Sequence, residues 1–313
     1  MAETKIDAAQ RSKINLKVDI GGLILDNPIL LASGTCGYGM ELADLIDLKS
    51  MGAIVVKGIS LEPRKGNLPP RIHETPCGLL NAIGLENVGI EAFKTKQLPW
   101  LREQGIRTIV NILGNTIYEY EKMAQELDGL AGVDALEVNI SCPNVKEGGV
   151  AFGTNPQSAA QVTRVVKNAC SLPVIVKLSP NVTDICEIAC AVEEAGADAL
   201  SLINTILGMA IDIHRKKPVL GNVFGGLSGP AIRPVALRMV WQVARAVSIP
   251  VIGIGGISTW KDAVEFFMAG ATAVQIGTAT LVDPSTSEKI LTGMVDFMLR
   301  NNYHSIGELK IRE

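Results

Sequence analysis

The sequence predicts an α/β fold of the closed type, a single (β/α)8 TIM barrel with insertions at its C-terminal mouth, and three observations lead there. The first is a junction that recurs five times, in which an amphipathic helix ends in Gly and an apolar run begins within a few residues: Gly52, Gly105, Gly132, Gly196 and Gly270. Glycine takes the left-handed conformation past a helix end without a Cβ clash, so each junction reads as helix stop, tight turn and strand start. The second is a set of eight short, nearly continuous apolar runs, the pattern of parallel strands buried on both faces. The third is negative. An open doubly wound sheet would fit the same alternation, but no G-x-G-x-x-G follows the first strand.

Taken in order, the strands are expected at residues 29–31, 53–56, 108–112, 135–140, 174–178, 199–203, 251–254 and 273–276. Between them, Leu42/Leu45/Ile46, Val162/Val165/Val166/Ala169, Ile185/Ile188/Ala189/Val192 and Val240/Val243/Ala244/Val247 recur at three- and four-residue steps, so each segment can lay one helical stripe on the sheet. Asn155-Pro156 and Ser258-Thr259 supply capping oxygens at helix starts, the first with proline in the opening turn. Two stretches exceed ordinary loop length, residues 58–86 after the second strand and 204–230 after the sixth, and both fall on the C-terminal side of the barrel. The 313 residues exceed the roughly 250 of a minimal barrel, so residues 1–313 are expected to form one domain with insertions.

Hydrophobic residues make up 47% of the chain and charged residues 19%, enough to bury a large core without membrane-protein character. With a formal charge of −3 and scattered basic residues, the chain lacks the stripe that a nucleic-acid partner requires. The first 18 residues contain no apolar targeting segment, so a cytoplasmic location with no membrane anchor is expected. The six cysteines are dispersed, unlike a disulfide scaffold. Cys186 and Cys190 share a helix face, but no further Cys or His pair completes a metal site, so no metal is expected.

In a barrel, reactive residues collect at the C-terminal strand ends. Those ends deliver Ala32-Ser33, Lys57-Gly58, Asn111, Asn139 through Asn144, Lys177 and Asn204-Thr205, then Gly255-Gly256 and Gly277-Thr278. Two lysines and four asparagines, with no Asp, Glu or His among them, describe donors arranged around a flat, acceptor-rich or anionic ligand. An individual Asn is more often a turn or cap residue, but four gathered at the ends of three strands are harder to read that way. The glycine turns after strands seven and eight occupy the usual barrel phosphate site. Cys142 stands at the end of strand four before Pro143 and a Gly-rich stretch suited to a lid, and its thiol can act as a general base; the alternative is a packing residue. His73 and His214 lie in the insertions and remain open as lid contacts.

At this point the residues resemble a known family. Glu137-Val138-Asn139-Ile140-Ser141-Cys142-Pro143-Asn144-Val145-Lys146 is similar to the active-site loop of class 1 dihydroorotate dehydrogenases, and Asn81-Ala82-Ile83-Gly84-Leu85-Glu86-Asn87 to their substrate loop. Val176 to Pro180, Ile203-Asn204-Thr205 and Gly253 to Ile257 match as well, so the resemblance runs from about Leu16 to the C-terminus. It implies that FMN lies against Ala32, Ser33, Lys57, Gly58, Asn111, Asn139, Lys177 and Ile203, with its phosphate on Gly229, Gly255, Gly256, Gly277 and Thr278. It likewise implies that dihydroorotate and orotate meet Lys57, Asn81, Ala82, Ile83, Gly84, Leu85, Asn139, Asn144, Asn204 and Thr205, and that Cys142, Lys57 and Lys177 carry the chemistry.

Within the family, Asn139-Ile140-Ser141-Cys142, Val145 to Gly149 and Ile83-Gly84-Leu85 are more similar to the B type than to the fumarate-using A type. That implies a homodimer core in a heterotetramer with a partner subunit carrying FAD and a [2Fe–2S] cluster, passing electrons to NAD+ in pyrimidine (UMP) biosynthesis. The dispersed cysteines of this chain cannot themselves hold such a cluster. The class 2 pattern, with Ser as base and an N-terminal membrane-associating segment, is not matched. Alternatives are a fumarate-dependent A-type enzyme, another FMN barrel acting on pyrimidines, a flavin-free phosphate-binding isomerase, and a non-catalytic binding barrel.

Overall fold

In a computed structural model that describes residues 14–141, 146–147 and 150–311, eight parallel strands close into a barrel in sequence order. They are β1 (Ile29–Leu31), β2 (Ala53–Val55), β3 (Thr108–Ile112), β4 (Ala135–Asn139), β5 (Val174–Lys177), β6 (Ala199–Leu202), β7 (Val251–Ile254) and β8 (Ala273–Ile276). The ring closes where β8 pairs with β1, Val274 opposite Ile29 and Ile276 opposite Leu31. Four strands match the expected limits; the other four end one residue earlier, where the chain turns into the loops of the mouth.

Helices follow most strands. Pro156–Ala169 starts at Asn155, whose side chain accepts from the Ser158 amide, and Trp260–Ala269 starts in a capping box in which Thr259 and Asp262 satisfy each other's backbone. Ile185–Glu194 and Arg233–Ala246 form where the apolar periodicity places them. The expected helix through Leu42, Leu45 and Ile46 is instead a series of turns, with a 3-10 segment at Leu48–Ser50. Gly37 and Gly39 hold φ of 55° and 91°, which interrupts a helical start, and Leu45 faces solvent.

Four of the five junction glycines, Gly105, Gly132, Gly196 and Gly270, have positive φ. Gly52 does not; it is needed because a side chain there would run into the carbonyl of Asn27. Gly132 also lies beyond a loop, the preceding helix having ended at Leu127.

The two long insertions pair with each other. Ile72–Thr75 and Gly78–Asn81 from the first, with Ile206–Gly208 and Gly225–Ser228 from the second, make one antiparallel four-stranded sheet, Gly226 opposite Asn81. At the opposite end, a hairpin of Val18–Asp19 and Ile24–Leu25 places Ile20, Leu23 and Leu25 in the same buried cluster as Leu30, Val55, Ile109, Ile175 and Ile252. This apolar layer fills the lower lumen, and the hairpin closes it. Among the described residues, no helix is long and apolar enough to cross a membrane.

Candidate active site

Above that apolar layer the lumen changes character. Asn111, Glu137, Lys177, Ser201 and Gln275, from five strands, are all buried, and Glu137 is completely so. Period-two alternation puts Glu137 on the same face of β4 as Ala135 below it and Asn139 above. Its Oε1 accepts from Asn111 Nδ2 at 2.7 Å and Lys177 Nζ at 3.4 Å, and its Oε2 from Ser201 Oγ at 2.9 Å and Gln275 Nε2 at 2.7 Å.

The strand-end set contains no carboxylate, but one sits a single layer down and touches two residues of that set. A lone Glu in a strand reads ambiguously, but matched polar positions on β3, β4, β6 and β8 were the available signal. Asn111 Oδ1 and Gln275 Oε1 are buried acceptors without a hydrogen-bond partner, which an unliganded apolar core would not tolerate cheaply.

One layer higher, Asn139 Oδ1 accepts from the backbone N–H of Ser141 at 3.3 Å and its hydroxyl at 2.8 Å. Asn204 Nδ2 reaches Ser141 Oγ at 2.5 Å and Asn139 Oδ1 at 3.4 Å, joining the ends of β4 and β6. Asn204 Oδ1 in turn receives the Thr205 amide at 2.7 Å. Asn181, which the sequence reading missed, donates to Thr205 O at 3.1 Å and accepts from the Leu207 amide at 2.9 Å, fixing the start of the second insertion.

Asn81 donates to Gly226 O at 3.2 Å across the insertion sheet, and the Thr205 side chain lies against Gly226, so Asn81, Thr205 and Asn204 share one wall. The stretch from Ala82 to Leu85 is held from behind. Asn67 donates to Ala82 O at 3.0 Å, Asn87 donates to Leu85 O at 2.8 Å, and Gly84 and Leu85 both adopt positive φ.

The glycine turns also converge. A side chain at Gly256 would sit 2.8 Å from Gly229 O, one at Gly229 would lie 3.6 Å from the Thr278 methyl, and one at Gly255 would lie 3.4 Å from Ile203 Cγ1. Gly229, Gly255 and Gly256 have φ of 90°, 129° and 72°, a backbone that other residues rarely adopt. Thr278 donates to Ser228 Oγ at 2.8 Å. The Ala32 amide donates to Ile276 O at 2.9 Å, and Ala32 Cβ lies 3.6 Å from where a side chain on Gly277 would begin.

Ser33 Oγ donates to Val56 O at 2.8 Å, and the Lys57 amide to Gly37 O at 2.8 Å, so the ends of β1 and β2 meet beside Gly58. A side chain on Gly58 would collide with Asn111 Oδ1 at 2.6 Å. The predicted residues thus gather in one mouth, except Cys142 and Asn144, which lie outside the described residues.

A second cysteine bears on the mouth. Cys36 lies just past β1, its Sγ donating to Val55 O at 3.1 Å and Ala32 O at 3.2 Å. Burial pushes its thiol up to about 12, so it is an inert packing group rather than a rival base. Burial also raises the thiols of Cys186 and Cys190. His214 is exposed, and His73 lies on the insertion strand Ile72–Thr75.

These features define a class of (β/α)8 barrel with a sealed apolar lower lumen, a charged and amide-lined upper lumen, and tight glycine turns at the mouth. The chain belongs to the dihydroorotate dehydrogenase family, whose model matches residues 15–298. It is similar to proteins named dihydroorotate dehydrogenase B (NAD(+)), catalytic subunit. The one from a Geobacter sp. is 58% identical over 295 residues, covering 94% of this chain and 97% of the relative. Those from Desulforamulus reducens and a Thermoanaerobacter sp. are 58% and 55% identical, each covering 95% of this chain and 98% of the relative.

Proposed function

We propose that this chain is the catalytic subunit of a B-type dihydroorotate dehydrogenase, oxidising (S)-dihydroorotate to orotate in pyrimidine biosynthesis with FMN as the hydride acceptor. The observation that carries this reading is end-to-end similarity to such subunits, 58% over 97% of one relative's length, on a chain whose polar residues face one mouth. The residues present fit a flavin nucleotide. Two buried amide oxygens without donors, on Asn111 and Gln275, suit a ring bearing an imide N–H, and the positive-φ turns at Gly229, Gly255 and Gly256 leave backbone rather than side chains facing a phosphate.

When bound, FMN would supply the acceptor for the hydride leaving C6 of dihydroorotate. Ala32, Ser33, Lys57, Gly58, Asn111, Asn139, Lys177 and Ile203 would hold its ring, and Gly229, Gly255, Gly256, Gly277 and Thr278 its phosphate. Lys177 Nζ stands in the upper lumen 3.4 Å from Glu137 Oε1, prearranged to stabilise negative charge there. Lys57 pairs with the substrate carboxylate. Asn81, Asn139, Asn144, Asn204 and Thr205, with the backbone of 82–85, orient the ring and exclude water from it. Cys142 Sγ takes the proton from C5.

B-type subunits work with a partner, and the relatives' designation as catalytic subunits agrees with that. We assign the FAD and [2Fe–2S] cluster to that partner and NAD+ as final acceptor, with a homodimer of this chain at the core and the assembly in the cytoplasm. Leu207, Ile211, Ile213 and Phe224, on and near the insertion sheet, are exposed apolar residues of the kind that subunit contacts cover.

The base assignment is tested by substitution. Cys142→Ala should retain FMN yet lose about 10²–10⁴-fold in turnover, the usual worth of a general base. Cys142→Ser should keep a trace of activity that rises with pH. Full turnover in the alanine variant would remove Cys142 from the mechanism.

A further inference from the structure

The carboxylate of Glu137 is the least expected feature of the upper lumen. It is fully buried, it belongs to none of the groups assigned above to FMN or substrate, and it accepts from side chains on β3, β5, β6 and β8. Three of its partners, the two amide nitrogens and the ammonium, have no acceptor capacity, so they match a carboxylate that accepts and never donates. The geometry also shows what this arrangement leaves over. Because Asn111 Nδ2 and Gln275 Nε2 must face Glu137, their oxygens are turned away and are the two buried acceptors that lack donors. Lys177 Nζ stands 3.4 Å from Oε1, longer than the roughly 2.7–2.9 Å of a fully committed ionic hydrogen bond. Among the described residues no other hydrogen-bond acceptor for it is found, so at least two of its protons point elsewhere.

We propose that Glu137 is a positioning residue for the FMN site: it keeps Lys177 charged and directed into the upper lumen, and it orients Asn111 and Gln275 so that their carbonyl oxygens, not their NH2 groups, face the ligand. The inference rests on the flavin reading above. A buried lysine without its counter-charge sheds its proton readily, and an amide next to a neutral carboxamide is free to flip. The other titratable groups at hand are Cys36, held neutral by burial and close enough to sense both Lys177 and Glu137, and Lys57 at the end of β2. Neither can replace an acceptor that serves four strands at once. A purely structural ion pair would behave differently, since replacing both partners by neutral groups of similar size is often harmless to the fold.

The test is FMN binding to the apoprotein, followed by quenching of flavin fluorescence across pH, in wild type, Glu137→Gln and Glu137→Gln/Lys177→Met. Relative to wild type, Glu137→Gln should lose affinity on the order of tenfold, and the loss should grow as pH rises, because a buried ammonium stripped of its counter-charge is disfavoured. The double variant should bind weakly, on the order of tenfold or more below wild type at about pH 6, with the wild-type pH profile. Thermal unfolding of each apoprotein reports folding separately. Should Glu137→Gln not fold, Glu137→Asp keeps the charge on a shorter arm and should bind FMN several-fold more weakly with an unchanged pH profile. A Glu137→Gln profile that superimposes on wild type, a pH-dependent loss that survives in the double variant, or wild-type affinity in Glu137→Asp would each overturn the proposal while leaving the flavin reading intact. A wild-type apoprotein that binds no FMN would overturn both.

Discussion

The two halves of the barrel lumen are built from the same eight strands by opposite rules. Below, Leu30, Val55, Ile109, Ile175 and Ile252 pack with alanines from β2, β4, β6 and β8 under the hairpin residues Ile20, Leu23 and Leu25. Above, two residues further along the same strands, the side chains are Asn111, Glu137, Lys177, Ser201 and Gln275. Alternating large and small apolar groups fill space without needing partners, so the lower half can be judged by volume alone. The upper half must instead be judged by hydrogen bonds, and two of its buried acceptors have none. The lower lumen is thus complete in itself, whereas the upper lumen keeps buried acceptors that its own side chains do not satisfy.

That contrast can be broken most severely from below. Ile252→Ala, in the sealed layer, should cost about 2–5 kcal/mol of stability, visible in denaturant unfolding, while kcat per folded molecule stays at the wild-type value. A loss of kcat without a loss of stability would mean that the two halves are not separate. The complementary change is Asn204→Ala at the mouth. It removes the tie to Ser141 and one predicted substrate donor, and should raise KM for dihydroorotate by about 10- to 100-fold, the range expected of a hydrogen bond to a charged ligand, with little change in unfolding.

The smallest effect concerns Cys36, which lies just past β1 and packs with Ile29 and Leu31 outside the lower-lumen layer. Its folded-state thiol is pushed up to about 12 from an ordinary 9.0, so burial of the neutral thiol favours folding fully below about pH 9. That contribution is lost as pH climbs toward about 12, and Cys36→Ala should flatten the alkaline decline in stability. An equally steep decline in the variant would assign the alkaline loss to other groups.

Much of this architecture was legible because it is repetitive. Parallel strands buried on both faces read as apolar runs, and four of the five glycine junctions took the left-handed backbone expected of them. Where the sequence misled, the cause was local or long-range. The turns around Leu42 mimic helical spacing while Gly37 and Gly39 prevent a helix, and Gly52 is fixed by a close approach to Asn27 rather than by its own φ. The pairing of Asn81 with Gly226 spans the two insertions and leaves no periodic trace in either.

At the site, the lysines and asparagines were visible as polar residues ending apolar strands. Glu137 was not, because its four partners come from strands far apart in sequence and only closure of the barrel brings them together.

The central claim, that the upper lumen is completed by FMN and acts on dihydroorotate, is tested most directly by adding dihydroorotate anaerobically to the purified chain and following the oxidised-flavin absorbance at about 450 nm. A yellow protein that bleaches in the presence of dihydroorotate alone is expected, with reoxidation by NAD+ only after the partner subunit is added. A yellow protein that fails to bleach would contradict the substrate, and a colourless one that cannot be reconstituted with FMN would contradict the site itself.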